Sequence, residues 1–531
     1  MNSKYINILS ENYNLYDIEK NIIYKYLKEN KIDYKNNIII NSYLNNFNEI
    51  EDIKEIKIKN IKELGLLMEF IIEKIEKKDT GSIYTPSLIV EKMVKLNKIK
   101  NKKILEPSVG SGVFVFSLLD SLNINNEKEF NNVISNIYMN DINKNITNLL
   151  PIFFNIYSIE KGFYLDSNSL NITNFDFLSK NFTNFYKNLK FDLIIGNPPY
   201  LSLEKGYLKE QIENYKKEFK GIYKVYDIFG LFIEKSLNYL NENGQLCYIV
   251  PSTLFVNDSF EKLRKIMFEY NISNIVFLGD KVFENAVVPT CIFKLKKNKQ
   301  NLIKIEENNK IIKTEINKII GDKSTLRVGI DFDFNEEIIN FTKNKNNIKL
   351  GDLLEIKEAI KTGNDKFFIH SQNINDYKPL IKGRDVNPFE INQHLFLDYN
   401  KEKLSRPLNE SFFEKEKIFI RRVSNKIIAA YDNENLYATH TLYCAFNKEL
   451  NKEDYELIEI LLNSDFYSKM YVTLFPFKGN IFPEIRTTKL KQLIFPNIDK
   501  IRNNKESLFN CLNNKKLNQD ELSVLIRNML K

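Results

Sequence analysis

The sequence predicts an α/β protein: a mostly parallel seven-stranded sheet with helices on both faces, preceded by a helical extension and followed by an irregular, mainly β domain. Three observations predict it. Between Ser82 and about Asn298 strand-like apolar runs alternate with helical patterns, as in a parallel sheet covered on both faces. Residues 191–195 have the length and apolar content of a buried parallel strand. The last two runs are separated by only a short loop, which favours an antiparallel hairpin at one edge.

The elements follow in order. Residues 1–78 read as a helical extension, because Ile56, Ile61, Leu64, Leu67, Ile71 and Ile75 form a stripe at helical spacing with Lys and Glu between them. Residues 79–300 carry the sheet, with strands expected at Lys103–Glu106, Asn136–Asn140, Ile172–Phe175, Phe191–Ile195, Gln245–Val250, Asn274–Leu278 and Thr290–Lys296. Between the fourth and fifth, Asp227–Asn241 places Phe229, Phe232, Ile233, Leu237 and Leu240 on one helical face, and Gly244 reads as a stop signal. Residues 301–350, rich in Lys and Asn, read as a connector with some strand. Residues 351–500 form short β-like runs, and 501–531 a C-terminal helix.

Composition sets outer bounds. A chain of 531 residues suggests about three units at ~150 residues each. At 43% hydrophobic and 27% charged it is globular in composition, and a net charge of +8 means that an anionic partner must be met by local patches. Cys247, Cys291, Cys444 and Cys511 lie far apart without a CxxC pair, which fits reduced cytosolic thiols and no metal site. No apolar run approaches the ~20 residues of a membrane span, so a cytoplasmic protein is expected.

The most informative stretch is the apolar run Phe191–Ile195 followed by Gly196 and then Asn197-Pro-Pro-Tyr200. Gly196 frees the backbone at the carboxyl end of a strand, where open α/β sheets place ligands. Pro198 and Pro199 fix φ, remove two N–H donors and hold the preceding residues extended. The result is a stiff wall of acceptors, the Asn197 side-chain oxygen and the Pro198 carbonyl, suited to an NH2 group with two hydrogens to donate. Holding those hydrogens out of the ring plane weakens conjugation of the nitrogen lone pair, so that it can attack an electrophilic methyl. Tyr200 supplies a flat face for an extruded base.

Earlier strand ends supply matching parts. Ile104 to Phe114 reads as strand, glycine turn and helix start, with Gly110 and Gly112 permitting close backbone approach and Glu106 able to pair with a cationic amino group. If an adenosyl cofactor serves the loop, Asp141 at the end of the next strand is a carboxylate that could accept its ribose hydroxyls. Asp176 and Phe177 end the third, placed to accept from an adenine amine and lie against its ring.

This set, in this order, resembles the gamma class of N6-adenine DNA methyltransferases over roughly residues 80–496. The resemblance implies a class I, Rossmann-like fold and S-adenosyl-L-methionine as cofactor. It further implies cofactor contacts at Thr85, Glu106, Pro107, Ser108, Val109, Gly110, Gly112, Asp141, Ile142, Asp176, Phe177 and Pro199, with no metal. Asn197, Pro198, Pro199 and Tyr200 would be catalytic, and Tyr200 and Phe283 would stack on the target base. The 351–500 domain would be the target-recognition domain. Its segment Lys417–Lys426 carries four positive charges and no acid in a β-like alternation, making Arg421, Arg422 and Lys426 candidate DNA contacts together with Lys382, Arg384, His440, Lys478 and Arg486. The expected partner is double-stranded DNA, met as a monomer, with a cognate restriction endonuclease as a separate chain. Transfer to N4 of cytosine or to a protein glutamine, and a modification subunit active only in a complex, remain open alternatives.

Overall fold

The computed structural model describes residues 11–531 apart from 48, 51–52, 54–55, 77–83, 205–207, 224–225, 280–281, 284–287, 299–300, 308–309, 321–323, 327–331, 374–375 and 476–483. The chain divides into two compact units, the first ending at Lys318 with 323–325 attached, the second comprising 319–322 and 326–531.

The first unit is built on a nine-stranded sheet. Its strands are β1 (Ile104–Glu106), β2 (Ile137–Asn140), β3 (Asn171–Thr173), β4 (Phe191–Gly196), β5 (Leu240–Pro251), β6 (Asn271–Gly279), β7 (Thr290–Lys296), β8 (Leu302–Glu307) and β9 (Lys310–Glu315), in the order β3-β2-β1-β4-β5-β7-β6-β8-β9. Strands β3 through β5 pair in parallel, while β7 runs antiparallel to both β5 and β6. All seven expected strands form. The sheet nevertheless gains two strands from the expected connector, because the alternation in Leu302–Glu307 buries Ile303 and Ile305 and pairs β8 with β6. The hairpin is therefore not at the edge, which β9 occupies. The helix expected over Asp227–Asn241 is shorter, Ile228–Leu237, a further helix at Leu208–Glu218 precedes it, and Gly244 lies inside β5. Chain order reverses between β1 and β4, the switch point beside which open α/β sheets form ligand crevices.

The amino-terminal helices Leu15–Glu29, Ile38–Leu44 and Ile61–Glu76 share one hydrophobic core with Leu193, Ile195, Cys247 and Ile249 of the sheet. The third helix starts at Ile61 rather than in the fifties, and its buried face is Ile61, Leu64, Gly65, Met68, Ile71 and Ile72. Gly65 lets it approach the turn after β1, since a Cβ there would stand 2.8 Å from the Ser111 carbonyl oxygen.

The second unit holds a four-stranded antiparallel sheet in the order 355–358, 442–446, 417–421, 429–432, and a second four-stranded sheet of 369–370, 395–397, 378–381 and 437–438. Helices Lys452–Leu462, Asp465–Leu474 and Gln519–Leu530 cover one face of the first sheet. The end of the chain is two helices and a small hairpin followed by the last helix, not one helix. Strand Lys417–Arg421 is central and buried on both faces: Ile418 and Ile420 enter the helical core, and Phe419 enters the core of the second sheet. The half-solvated alternation expected there is thus replaced by burial, and Lys417 is fully buried in an ion pair with Asp432.

Candidate active site

At the carboxyl ends of β1, β2 and β4 lies a cavity of about 730 Å³, within the usual range for small-molecule sites. Its floor is the turn after β1. Gly110 takes φ +49°, and its N–H donates to Asp141 Oδ2 at 2.9 Å; the Ser111 N–H donates to Glu69 Oε2 at 2.8 Å. A Cβ on Gly110 would lie 2.6 Å from Glu69 Oε1, so a side chain here would strain the backbone and displace the Glu69 carboxylate. Behind the turn, buried Asn140 ties three strand ends together: its amide donates to the carbonyls of Pro107 (3.1 Å) and Phe175 (3.0 Å) and accepts from the Phe175 N–H (3.1 Å).

The loop after β4 closes one side. Asn197 lines the cavity with Pro199, while its side-chain NH2 donates to Thr85 Oγ1 at 3.1 Å and its backbone carbonyl accepts from Ser108 Oγ at 3.2 Å. These two bonds join the three segments expected to act together. Gly196 adopts φ +151° and faces the Glu106 side chain, which a Cβ would meet at 3.5 Å. Tyr200 donates to the Ile249 carbonyl at 3.1 Å, and its ring packs edge-on against Phe283 (6.2 Å between centroids) and Phe229 (6.0 Å).

Most sequence-chosen residues meet here. Thr85, Glu106, Pro107, Ser108, Val109, Gly110, Asp141, Ile142, Asp176, Phe177, Asn197 and Pro199 all line the cavity. Gly112 does not. Its φ of +80° starts the helix Val113–Asp120, and a Cβ would meet Phe116 and Leu150, so the second glycine serves packing. Pro198, Tyr200 and Phe283 stand outside the cavity wall, the two aromatics touching each other.

The sequence reading missed the opposite wall. Glu69, Glu73 and Glu76, at i, i+4 and i+7 on helix Ile61–Glu76, line the cavity together with Tyr84. Tyr84 donates to Glu73 at 2.6 Å, and Asn145 donates to Glu76 at 2.6 Å. With Glu106, Asp141 and Asp176 they make six carboxylates, against Lys144 as the cation of the lining. Removal from bulk water, then the nearby charges of Asp141 and Glu73, push the Glu69 carboxyl up to about 8. The same desolvation, with Asp141 and Glu69 beside it, holds Glu106 well above the usual carboxylate range. Desolvation also raises Asp141 against the N–H groups of Asn143 and Gly110, and raises Asp176. Glu106 is 1% exposed, and its Oε2 has no hydrogen-bond donor among the described residues. Such a pocket suits a cationic ligand of nucleoside size, with an apolar end at Phe177 and Phe232.

In the second unit the expected DNA contacts separate into different environments. Arg384 is 72% exposed beside Asp385, and Arg486 is exposed at the start of helix Thr487–Leu490. Arg422 is committed to Glu358 and Glu484, and Lys426 pairs with Asp465 at 2.7 Å. Lys382 pairs with Asp365 at 2.8 Å close to His440, whose ring is held below its ordinary value by burial and then by Arg422. The Arg421 Nε is buried without a partner among the described residues, and Lys478 lies outside the described residues.

The family described as N-6 DNA Methylase matches residues 59–365, more than half of the chain. The chain belongs to the N-6 DNA methylase family. Residues 378–494 match the TaqI-like C-terminal specificity domain. Among curated relatives, the type II restriction enzyme and methyltransferase RM.Eco57I of Escherichia coli is 30% identical over 242 residues, covering 42% of this chain and 23% of its own length. The type II methyltransferase M.HincII of Haemophilus influenzae is 31% identical over 262 residues, covering 47% of this chain and 44% of its own. The chain thus spans under half the length of these two relatives. In fold, this N-6 DNA methylase family member is similar to the type IIL restriction-modification enzyme MmeI solved with DNA, at a TM-score of 0.60 and 12% identity over 88% of this chain and 78% of that one. No helix among the described residues is long and apolar enough to cross a membrane.

Proposed function

We propose that the chain is a site-specific DNA methyltransferase that moves a methyl group from S-adenosyl-L-methionine to N6 of an adenine extruded from duplex DNA, as the modification activity of a restriction-modification system. The observation that carries this reading is the placement of Asn197, from the rigid Asn-Pro-Pro-Tyr loop, in the wall of the same cavity as the acidic, glycine-floored turn after β1. Family membership supports it.

The residues present fit the cofactor. Glu106, with one carboxylate oxygen lacking a donor, would hold its ammonium group; Asp141 and Ile142 would meet its ribose and adenine, with Asp176 and Phe177 at the far side of the ring. When bound, S-adenosyl-L-methionine supplies an electrophilic methyl on a positively charged sulfur. The chain does the rest. The Asn197 amide nitrogen donates to Thr85, and on this reading the amide oxygen and the Pro198 carbonyl would accept from the target amine. Two acceptors draw the amine hydrogens away from the ring plane and leave the lone pair available for in-line attack. Tyr200, anchored through its hydroxyl to Ile249, and Phe283 beside it offer stacking worth ~1–3 kcal/mol per base, which offsets part of the few kcal/mol lost on extrusion. In the recognition domain, exposed Arg384 and Arg486 are the candidates for DNA contact, whereas Arg422 keeps a scaffolding role. A cytoplasmic monomer acting beside a separate endonuclease completes the reading.

Incubation of the purified chain with methyl-labelled cofactor and duplex DNA, followed by digestion to nucleosides, tests it. Label in N6-methyladenosine is the expected result. Label in N4-methylcytosine or in protein, or no transfer by the chain alone, would each replace it with one of the alternatives.

A further inference from the structure

Helix Ile61–Glu76 brings to the cavity a row of acids that the transfer chemistry does not require. Glu69 is bonded to the Ser111 N–H and lies against Gly110, while Glu73 one turn on accepts from Tyr84. Across the cavity stand Glu106 of β1 and Asp141 after β2, both close enough to influence Glu69 electrostatically. A crowd of carboxylates that have lost much of their contact with water repels itself unless it holds protons or meets a cation. The cavity offers Lys144 as its own cation, and the Glu106 oxygen without a donor marks where a positive group is wanted.

We infer that Glu69 and Glu73 are specificity-determining residues: with Glu106 and Asp141 they make the cavity select the sulfonium form of its cofactor over the neutral thioether product, releasing protons as the cation enters. This rests on the methyltransferase reading. S-adenosyl-L-methionine and S-adenosyl-L-homocysteine differ by one methyl and one positive charge, so shape gives little means of telling them apart, whereas a charge held near several carboxylates in a poorly hydrated site gives a large one. An enzyme so built sheds its product and limits inhibition by it. The groups facing Glu69 are Glu73 on its own helix, Tyr84, Glu106 and Asp141. Since Glu69 holds its proton up to about 8 in the absence of ligand, a cation entering below that pH displaces a proton. Affinity for the sulfonium form therefore rises with pH between about 6 and 8, and that for the thioether, which brings the ammonium group without the sulfonium, rises less steeply.

Titration calorimetry of the whole chain with each nucleoside, in buffers of differing ionisation enthalpy, tests the inference without any turnover. Wild type is expected to bind the sulfonium form more tightly and to release more protons with it than with the thioether, which brings only the ammonium group that both share. Glu69→Gln, which keeps an acceptor for the Ser111 N–H, is expected to cut the sulfonium-to-thioether affinity ratio roughly three- to tenfold and to lower the proton count. Glu73→Gln should lower the ratio in the same direction, and thermal melting verifies that each variant is folded. Equal weakening of both ligands in both variants, or wild-type binding of the sulfonium form without proton release, would overturn the inference and leave the methyltransferase reading intact. If wild type binds neither nucleoside, both fall.

Discussion

At the scale of the residue, the site turns on a few fixed hydrogen bonds. Thr85 orients the Asn197 amide, and the turn after β1 is held by Asp141 and Glu69 from two directions. On the proposed reading Asn197→Ala removes an acceptor for the target amine, so turnover should fall at least ~10²-fold while the calorimetric affinity for the cofactor changes little. Near-normal turnover would remove Asn197 from catalysis. Phe283→Ala should weaken capture of an extruded base by roughly 1–3 kcal/mol, read from the fluorescence of 2-aminopurine at the target position, and leave cofactor affinity nearly unchanged. Equal losses in both measurements would take Phe283 out of the base pocket. The Asn-Pro-Pro-Tyr loop was legible because its chemistry is carried by consecutive residues. Glu69 was not: spaced acids on an amphipathic helix look the same whether they face solvent or a cavity.

Elements show the same division. Strand Lys417–Arg421 carries the charge pattern of a DNA-facing edge but lies in the middle of its sheet, where Lys417 donates to Asp432 and to the Phe413 carbonyl at 2.6 Å. Lys417→Ala leaves Asp432 buried without its cation and should cost the second unit about 3–5 kcal/mol in urea denaturation; an unchanged midpoint would contradict the burial. Helix Ile61–Glu76 imposes a pH dependence of the opposite kind to an ordinary ion pair. Folding raises the Glu69 carboxyl from 4.5 to about 8, so between those values the folded chain holds a proton that the unfolded chain has released. Stability of the cofactor-free chain should fall as pH rises from about 5 to 8, by roughly 2–4 kcal/mol from this group. Melting curves of Glu69→Gln should show a shallower slope. Glu19 and Glu459, each pushed up to about 7 by burial, add to the slope below pH 7 in both proteins.

Over the whole molecule, a net charge of +8 is spread thinly, so the proposed DNA binding would have to come from particular exposed cations. Arg384→Ala should lower the slope of log affinity against log salt by about 1, whereas Arg422→Ala should lower thermal stability and leave that slope unchanged. The reverse outcome would exchange their roles. The sequence by itself determined where strands β1 to β7 lie along the chain, the Asn-Pro-Pro-Tyr loop at the end of β4 and most residues of the cavity wall, because each is written in residues close together along the chain and obeys a local rule of periodicity or turn chemistry. The tertiary structure alone decided that the amino-terminal helices form one wall of the cavity and that β8 and β9 extend the sheet. It also decided that Gly112 packs while Gly110 lines the cavity, and that Arg422 is already paired. Each of these depends on which distant segments share the exclusion of water, and burial of a charge or a glycine against a remote carboxylate leaves no periodic trace in the sequence.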